Sequence, residues 1–146
     1  MAGPNVWGPH GWKFIHYITL GYPDNPTDED KKTYYNFFTI LNKVVPCPIC
    51  GNHYKQNLIK HPLDSDALSS KMKLIAWGIA MHNEVNITTN KKTYNTKEGY
   101  GDILKNTEKC DKISQSRNNI IIIISVIINV ALILFIIIKL QMCMLQ

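Results

Sequence analysis

A chain of 146 residues, 45% apolar and 10% aromatic, has room for one compact domain plus one further segment. Its formal net charge of +5 is spread along the chain and never alternates with aromatic residues along one surface, which argues against DNA or RNA as a partner. Four cysteines, at positions 47, 50, 110 and 143, are too few for a disulfide-rich secreted scaffold.

The start, from Met1 to Asn5, has neither a basic nor an apolar leader region, so no signal peptide is expected. Trp12, Ile15, His16 and Thr19 then fall at helical spacing after Gly8-Pro9. The run from Tyr22 to Pro26 is a turn. Thr27 followed by Asp28, Glu29 and Asp30 opens a second helix, because acids in a first turn meet the positive end of the dipole. Tyr34, Phe37, Phe38, Leu41 and Val45 carry its apolar stripe, and Pro46 ends it. Proline suits the first helical position, so a third helix is expected from Pro48 to about Lys60, closed by His61-Pro62. A fourth runs from Ser69 to Val85, with Met72, Ile75, Ala76, Ile79 and Ala80 on its buried side. A short fifth, from Thr96 to Lys105, is weakened by Gly99 and Gly101. No two-residue alternation marks a strand, so the soluble fold is expected to be an all-α bundle.

The domain is expected to occupy residues 1–110, with a polar linker over 111–119. From Ile120 to Ile138 only Ser125 and Asn129 interrupt a run of Ile, Val, Leu, Ala and Phe. A helix of that length rises roughly 28 Å, so it is expected to be a transmembrane helix followed by a short tail at 139–146. Lys105, Lys109, Lys112 and Arg117 precede this run and Lys139 alone follows it, which places the N-terminal domain on the cytoplasmic side. Acidic lipid headgroups account for the juxtamembrane lysines. Cys110 and Cys143 would then lie on opposite sides of the span, leaving Cys47 and Cys50 as the one local pair.

In Cys47-Pro48-Ile49-Cys50, a helix starting at Pro48 puts Cys47 at the N-cap and Cys50 one turn inside. Both sulfurs meet the positive end of the helix, which favours the nucleophilic thiolate, and the spacing permits a disulfide that opens and closes without unfolding. Half of a zinc site and a pair of inert buried thiols are the competing readings. A thioredoxin-like reading would need a neighbouring βαβ pattern, and none is visible. Trp77, His82, Asn83, Val85 and Asn86 form a second group, with His82 and Asn86 one turn apart; a core tryptophan with a capping asparagine is the plainer alternative. Gly8, Trp12 and His16 form a third, which taken alone reads as core.

Together, Trp-Gly-x-x-x-Trp-x-x-x-His, Pro-Cys-x-x-Cys-x-x-His-Tyr and Trp-x4-His-Asn-x-Val-Asn resemble, in order and spacing, the Erv/ALR family of FAD-linked sulfhydryl oxidases over most of residues 7–100. The Asn-, Ile- and Lys-rich composition and the C-terminal anchor resemble the versions encoded by large cytoplasmic DNA viruses. The resemblance implies four helices plus a short fifth holding FAD, as a homodimer. It implies that Cys50 is the thiol beside the flavin and that Cys47 meets the substrate. It assigns Gly8, Trp12 and His16 to the first FAD-contacting block, and His53 and Tyr54 to the positions after the redox pair. Trp77, His82, Asn83, Val85 and Asn86 match the adenine and ribose side, Tyr94 an aromatic position, and Lys91 or its neighbour Lys92 a basic residue near the pyrophosphate. Such a site is chemically coherent: flat rings pack on Trp12, Tyr54 and Trp77, His and Asn give directional hydrogen bonds, and a lysine offsets phosphate charge.

Two departures stand out. Ile79 stands where the family often has a structural cysteine, and no second Cys-x-x-Cys is present to act as a shuttle. The expected substrate is therefore a separate small dithiol protein, thioredoxin- or glutaredoxin-like, that docks at Cys47, with oxygen as the final acceptor; Cys110 of a neighbouring subunit is the alternative shuttle. Two rival readings lack enzymatic activity. One is a membrane-anchored zinc module using Cys47, Cys50 and two of His53, His61 and His82; the other is a tail-anchored adaptor. The expected location is a host cytoplasmic membrane or a virion membrane.

Overall fold

The computed structural model describes residues 3–144, with the side chains at 106, 108–116, 132–134, 136, 139 and 141–144 outside the described residues. Cys110 and Cys143 thus lie outside the described side chains, and with them the questions of a shuttle and of their pairing. Five helices follow one another: α1 (Pro4–Leu20), α2 (Asp28–Val44), α3 (Pro48–Lys60), α4 (Lys71–Thr88) and α5 (Thr96–Met144). The chain divides into two units, 1–104 and 105–146.

Helix boundaries follow local chemistry. α1 begins well before its first periodic residue because Pro4 occupies the start of the helix, where a missing N–H costs nothing, and the helix then tolerates Pro9 inside it. α2 starts on a capping box: the Thr27 hydroxyl accepts from the Asp30 N–H at 3.2 Å, and the Asp30 carboxylate accepts from the Thr27 N–H at 2.8 Å. Cys47 caps α3 and Ser70 caps α4 in the same side-chain-to-backbone manner.

Within unit 1–104, α1 packs on α4, α2 on α3, and α3 on α4. Phe38, Leu41, Tyr54, Leu74, Trp77 and Met81 form the centre, and Tyr22, Leu63 and Leu68 bring in the connecting segments. Phe38 and Leu74 are wholly buried, each worth about 1.5–3 kcal/mol by transfer alone. Gly78 lets α1 approach α4 closely, since a Cβ there would sit 3.3 Å from Thr19 Cγ2. Ile75, Ile79 and Ile103 form a smaller cluster that seats the start of α5.

Several expectations are revised. Ile75 and Ile79 are buried on α4 as expected, but Met72 is 47% exposed, and Leu74, Trp77, Gly78 and Met81 complete the buried face. The fifth helix does not end near Lys105: α5 continues through the polar run 111–119 to Met144. The polar run 111–119 contains neither proline nor glycine, so nothing in it breaks a helix. The transmembrane helix expected over 120–138 is not found as such. Among the described residues, no helix is long and apolar enough to cross a membrane. Of the expected span 120–138, the side chains at 132–134 and 136 lie outside the described residues.

Candidate functional site

The cysteine pair sits where α2 ends and α3 begins. Pro46 separates the helices, and Cys47 takes an extended conformation (φ −151°, ψ 108°) as the cap of α3. Its Sγ accepts the Cys50 backbone N–H at 3.3 Å. The two residues form a disulfide, with Cα atoms 5.2 Å apart. Gly51, next in the chain, is buried against α2: a Cβ there would land on the Asn42 carbonyl. The missing side chain lets the first turn of α3 rest on the last turn of α2, so the redox pair has a rigid seat. Both cysteines are half-buried.

A second cluster joins α1 to α4. Trp12 and His82 stack with ring centroids 4.3 Å apart and planes 6° from parallel. His82 Nδ1 and His16 Nε2 share a hydrogen bond of 3.0 Å. Burial lowers the pKa of each histidine to about 4, opposed at His16 by Asp102 and reinforced at His82 by His16 and then Lys91. Both rings are therefore neutral near pH 7. His16 Nδ1 is buried without a hydrogen-bond partner, an unmet polar atom inside the bundle.

Beyond α4 the chain reverses through Asn90, whose φ of 53° is left-handed, and the Lys91 N–H returns to the Asn86 carbonyl at 2.7 Å. Asn83 clamps the returning strand of chain: its amide donates to the Tyr94 carbonyl at 2.7 Å and accepts from the Tyr94 N–H at 3.0 Å. Lys92 is engaged elsewhere, 4.0 Å from Glu98 and 5.0 Å above the Tyr94 ring. Lys91 is exposed and lies within electrostatic reach of His82.

The structure thus brings Trp12, His16 and His82 into contact, and links Asn83 to Tyr94. Asn86 is buried on α4, while Val85 is half-buried on the same helix. Tyr54 and Trp77 lie deeper than a surface cofactor wall. The Tyr54 hydroxyl donates to the Phe38 carbonyl at 3.0 Å, and burial raises its pKa. The Trp77 indole donates to the His61 carbonyl at 3.0 Å and meets Phe38 edge-on at 5.0 Å. His53 is exposed on α3, and Gly8 is half-buried with open space where a Cβ would be. Gly51, which seats the first turn of α3 on α2, was not legible as a site residue. A glycine directly after a Cys-x-x-Cys was the one available signal.

The zinc arrangement is not formed. Among the described residues no group of three His, Cys, Asp or Glu is placed to hold a metal. Cys47 and Cys50 are bonded to each other, and His61 is paired at 2.9 Å with Glu84.

The Erv1 / Alr family matches residues 9–113. The chain is 48% identical over 89 residues to the "Probable FAD-linked sulfhydryl oxidase R368" of Acanthamoeba polyphaga mimivirus, covering 61% of this chain and 62% of that one. It is 30% identical over 87 residues to the "FAD-linked sulfhydryl oxidase ERV2" of Saccharomyces cerevisiae, covering 60% of this chain and 43% of that one. The match thus spans less than two thirds of either relative. The crystal structure of the yeast Erv1 core superposes with a TM-score of 0.61 at 22% identity, over 68% of this chain and 81% of that one, a likeness of fold. With the cysteine pair capping α3, the tryptophan–histidine cluster tying α1 to α4, and a family match over most of its length, the chain belongs to the Erv1/Alr family.

Proposed function

We propose that the protein is an FAD-linked sulfhydryl oxidase that converts a dithiol in a partner protein into a disulfide, with oxygen reduced to hydrogen peroxide. One observation carries the reading: a disulfide-bonded Cys47–Cys50 pair at the N-terminus of α3, in the same bundle as a buried aromatic–histidine cluster. The residues fit the cofactor its relatives are named for. His16 Nδ1 has an unmet hydrogen bond, the Trp12–His82 stack offers a flat apolar wall, and Lys91 supplies an exposed cation near His82. Bound flavin supplies the two-electron acceptor for the reduced cysteine pair and passes those electrons to oxygen.

The residues' own work is thiol exchange. A partner thiolate attacks Cys47 Sγ; the Cys47–Cys50 bond breaks, a mixed disulfide forms, and Cys50 leaves as the thiolate. The partner's second thiolate then attacks its own bound sulfur and departs as a disulfide, leaving Cys47 reduced. The Cys50 N–H aimed at Cys47 Sγ and the helix N-terminus favour negative charge on that sulfur. Gly8, Trp12, His16, His82, Asn83, Val85, Asn86, Lys91 and Tyr94 bind and orient the cofactor in this reading, with His53, Tyr54 and Trp77 supporting them from α3 and α4. Cys50→Ser should abolish dithiothreitol oxidation while the purified protein stays yellow; a fully active Cys50→Ser variant would defeat the assignment.

The homodimer, the small dithiol protein as substrate, and a single-pass membrane anchor with the oxidase domain facing the cytoplasm belong to the same proposal. The anchor is supported by exposed side chains along α5, where Ile121 is 64% and Ile127 62% exposed, following a lysine-rich approach. The full chain should float with anionic vesicles and a 1–119 truncation should remain in the soluble fraction; equal partitioning of the two would remove the anchor.

A further inference from the structure

The end of the bundle that carries the disulfide has an unusual surface. Val44, at the close of α2, is 65% exposed, and Ile49, between the two cysteines, is 67% exposed. Pro46 and Pro48 are exposed beside them. These four exposed residues all stand within three positions of Cys47 in the chain, so a protein bonded to Cys47 Sγ meets an apolar segment.

Charge is equally one-sided. Between Lys31 and Leu63 the sequence contains no aspartate or glutamate. Lys31 pairs with Asp28 at the far end of α2, and Lys60 pairs with Glu84 of α4. The exposed Lys43 and Lys55, flanking the redox pair along α2 and α3, have no ion-pair partner among the described residues. The positive end of α3 adds to the same field.

From this geometry we infer that the surface around Cys47 is a docking site for a protein whose dithiol lies in an apolar patch rimmed by carboxylates. The inference rests on the oxidase reading and names its substrate class. Apolar side chains beside the disulfide favour close approach of the partner's sulfur, and Lys43 and Lys55 select acidic over basic partners and raise the rate of encounter.

The probes are two reduced Cys-x-x-Cys peptides with leucine beside the cysteines, flanked by aspartates in one and by lysines in the other. Flavin-loaded full chain should oxidise the aspartate peptide with a KM about tenfold lower at low salt. That preference should collapse in about 0.5 M salt, where charges beyond a few ångströms are screened. The double variant K43E/K55E should reverse it, and K43Q/K55Q should erase it, while dithiothreitol, too small to span the surface, reports on folding and chemistry in every protein. Equal KM values for the two peptides, or a preference that both double variants leave in place, would overturn the docking site while dithiothreitol turnover upholds the oxidase. Absence of dithiothreitol turnover in the flavin-loaded wild type would overturn the oxidase and the docking site together.

Discussion

At the scale of single residues, the site depends on side chains that are missing as much as on those present. Gly51 has no room for a Cβ because the Asn42 carbonyl occupies it. Gly51→Ala must push the first turn of α3 off α2, at a cost of about 1–3 kcal/mol, read as a lower midpoint in urea unfolding. Dithiol oxidation should fall with it, since the same displacement moves both sulfurs; an alanine variant of unchanged stability would show that the contact yields freely. Asn83 acts in the opposite way, through two hydrogen bonds to the Tyr94 backbone. Asn83→Ala should cost about 1 kcal/mol and release the segment carrying Lys91 to Tyr94, weakening flavin retention more than stability. Flavin titration of the apoprotein, beside a thermal melt, separates the two effects.

At the scale of helices, termini carry the chemistry. The cap of α3 is also its reactive sulfur, so one residue ends the extended link and presents the disulfide. α2 is fixed at its other end by the Thr27–Asp30 box, whose hydrogen bonds hold the Asp30 carboxyl below the usual carboxylate range. Thr27→Ala should lower stability by about 1 kcal/mol with the visible spectrum unchanged, because the cap lies at the opposite end of α2 from Cys47. α5 shows packing overriding local propensity. Gly99 was read as a weakness, yet its hydrogen faces Ile79, where a Cβ would sit 2.9 Å from Cδ1, so packing rather than propensity set that residue.

At the scale of the molecule, the buried histidine pair makes stability depend on pH. His16 and His82 both fall from the ordinary 6.5 to about 4, mainly through burial. Depressed values mean that the unfolded chain takes up protons first. These residues therefore leave stability intact above about 6.5, withdraw it progressively as pH falls toward 4, and withdraw no more below that. Urea midpoints measured across this window should decline with falling pH, and a His16→Gln/His82→Gln protein should show a flatter profile. Glu84 and Asp30, whose values are lowered from already acidic ones, act at lower pH and leave the histidine window distinct.

Much of this architecture was readable from the order of residues. Capping chemistry at Thr27 and Cys47, prolines at 46 and 48 and apolar periodicity are local properties, and they placed α2, α3 and the core of α4 to within a few residues. The three spaced motifs likewise pointed to Trp12, His16 and His82 before any contact was known. Only the tertiary structure decided that these three rings touch, that Tyr54 and Trp77 spend their polar atoms inside the bundle, and that Gly51 and Gly99 exist to let helices meet. The reason is physical. Caps and periodicity act between neighbours in the chain, whereas burial, ring stacking and unmet hydrogen bonds arise between residues such as His16 and His82, 66 positions apart.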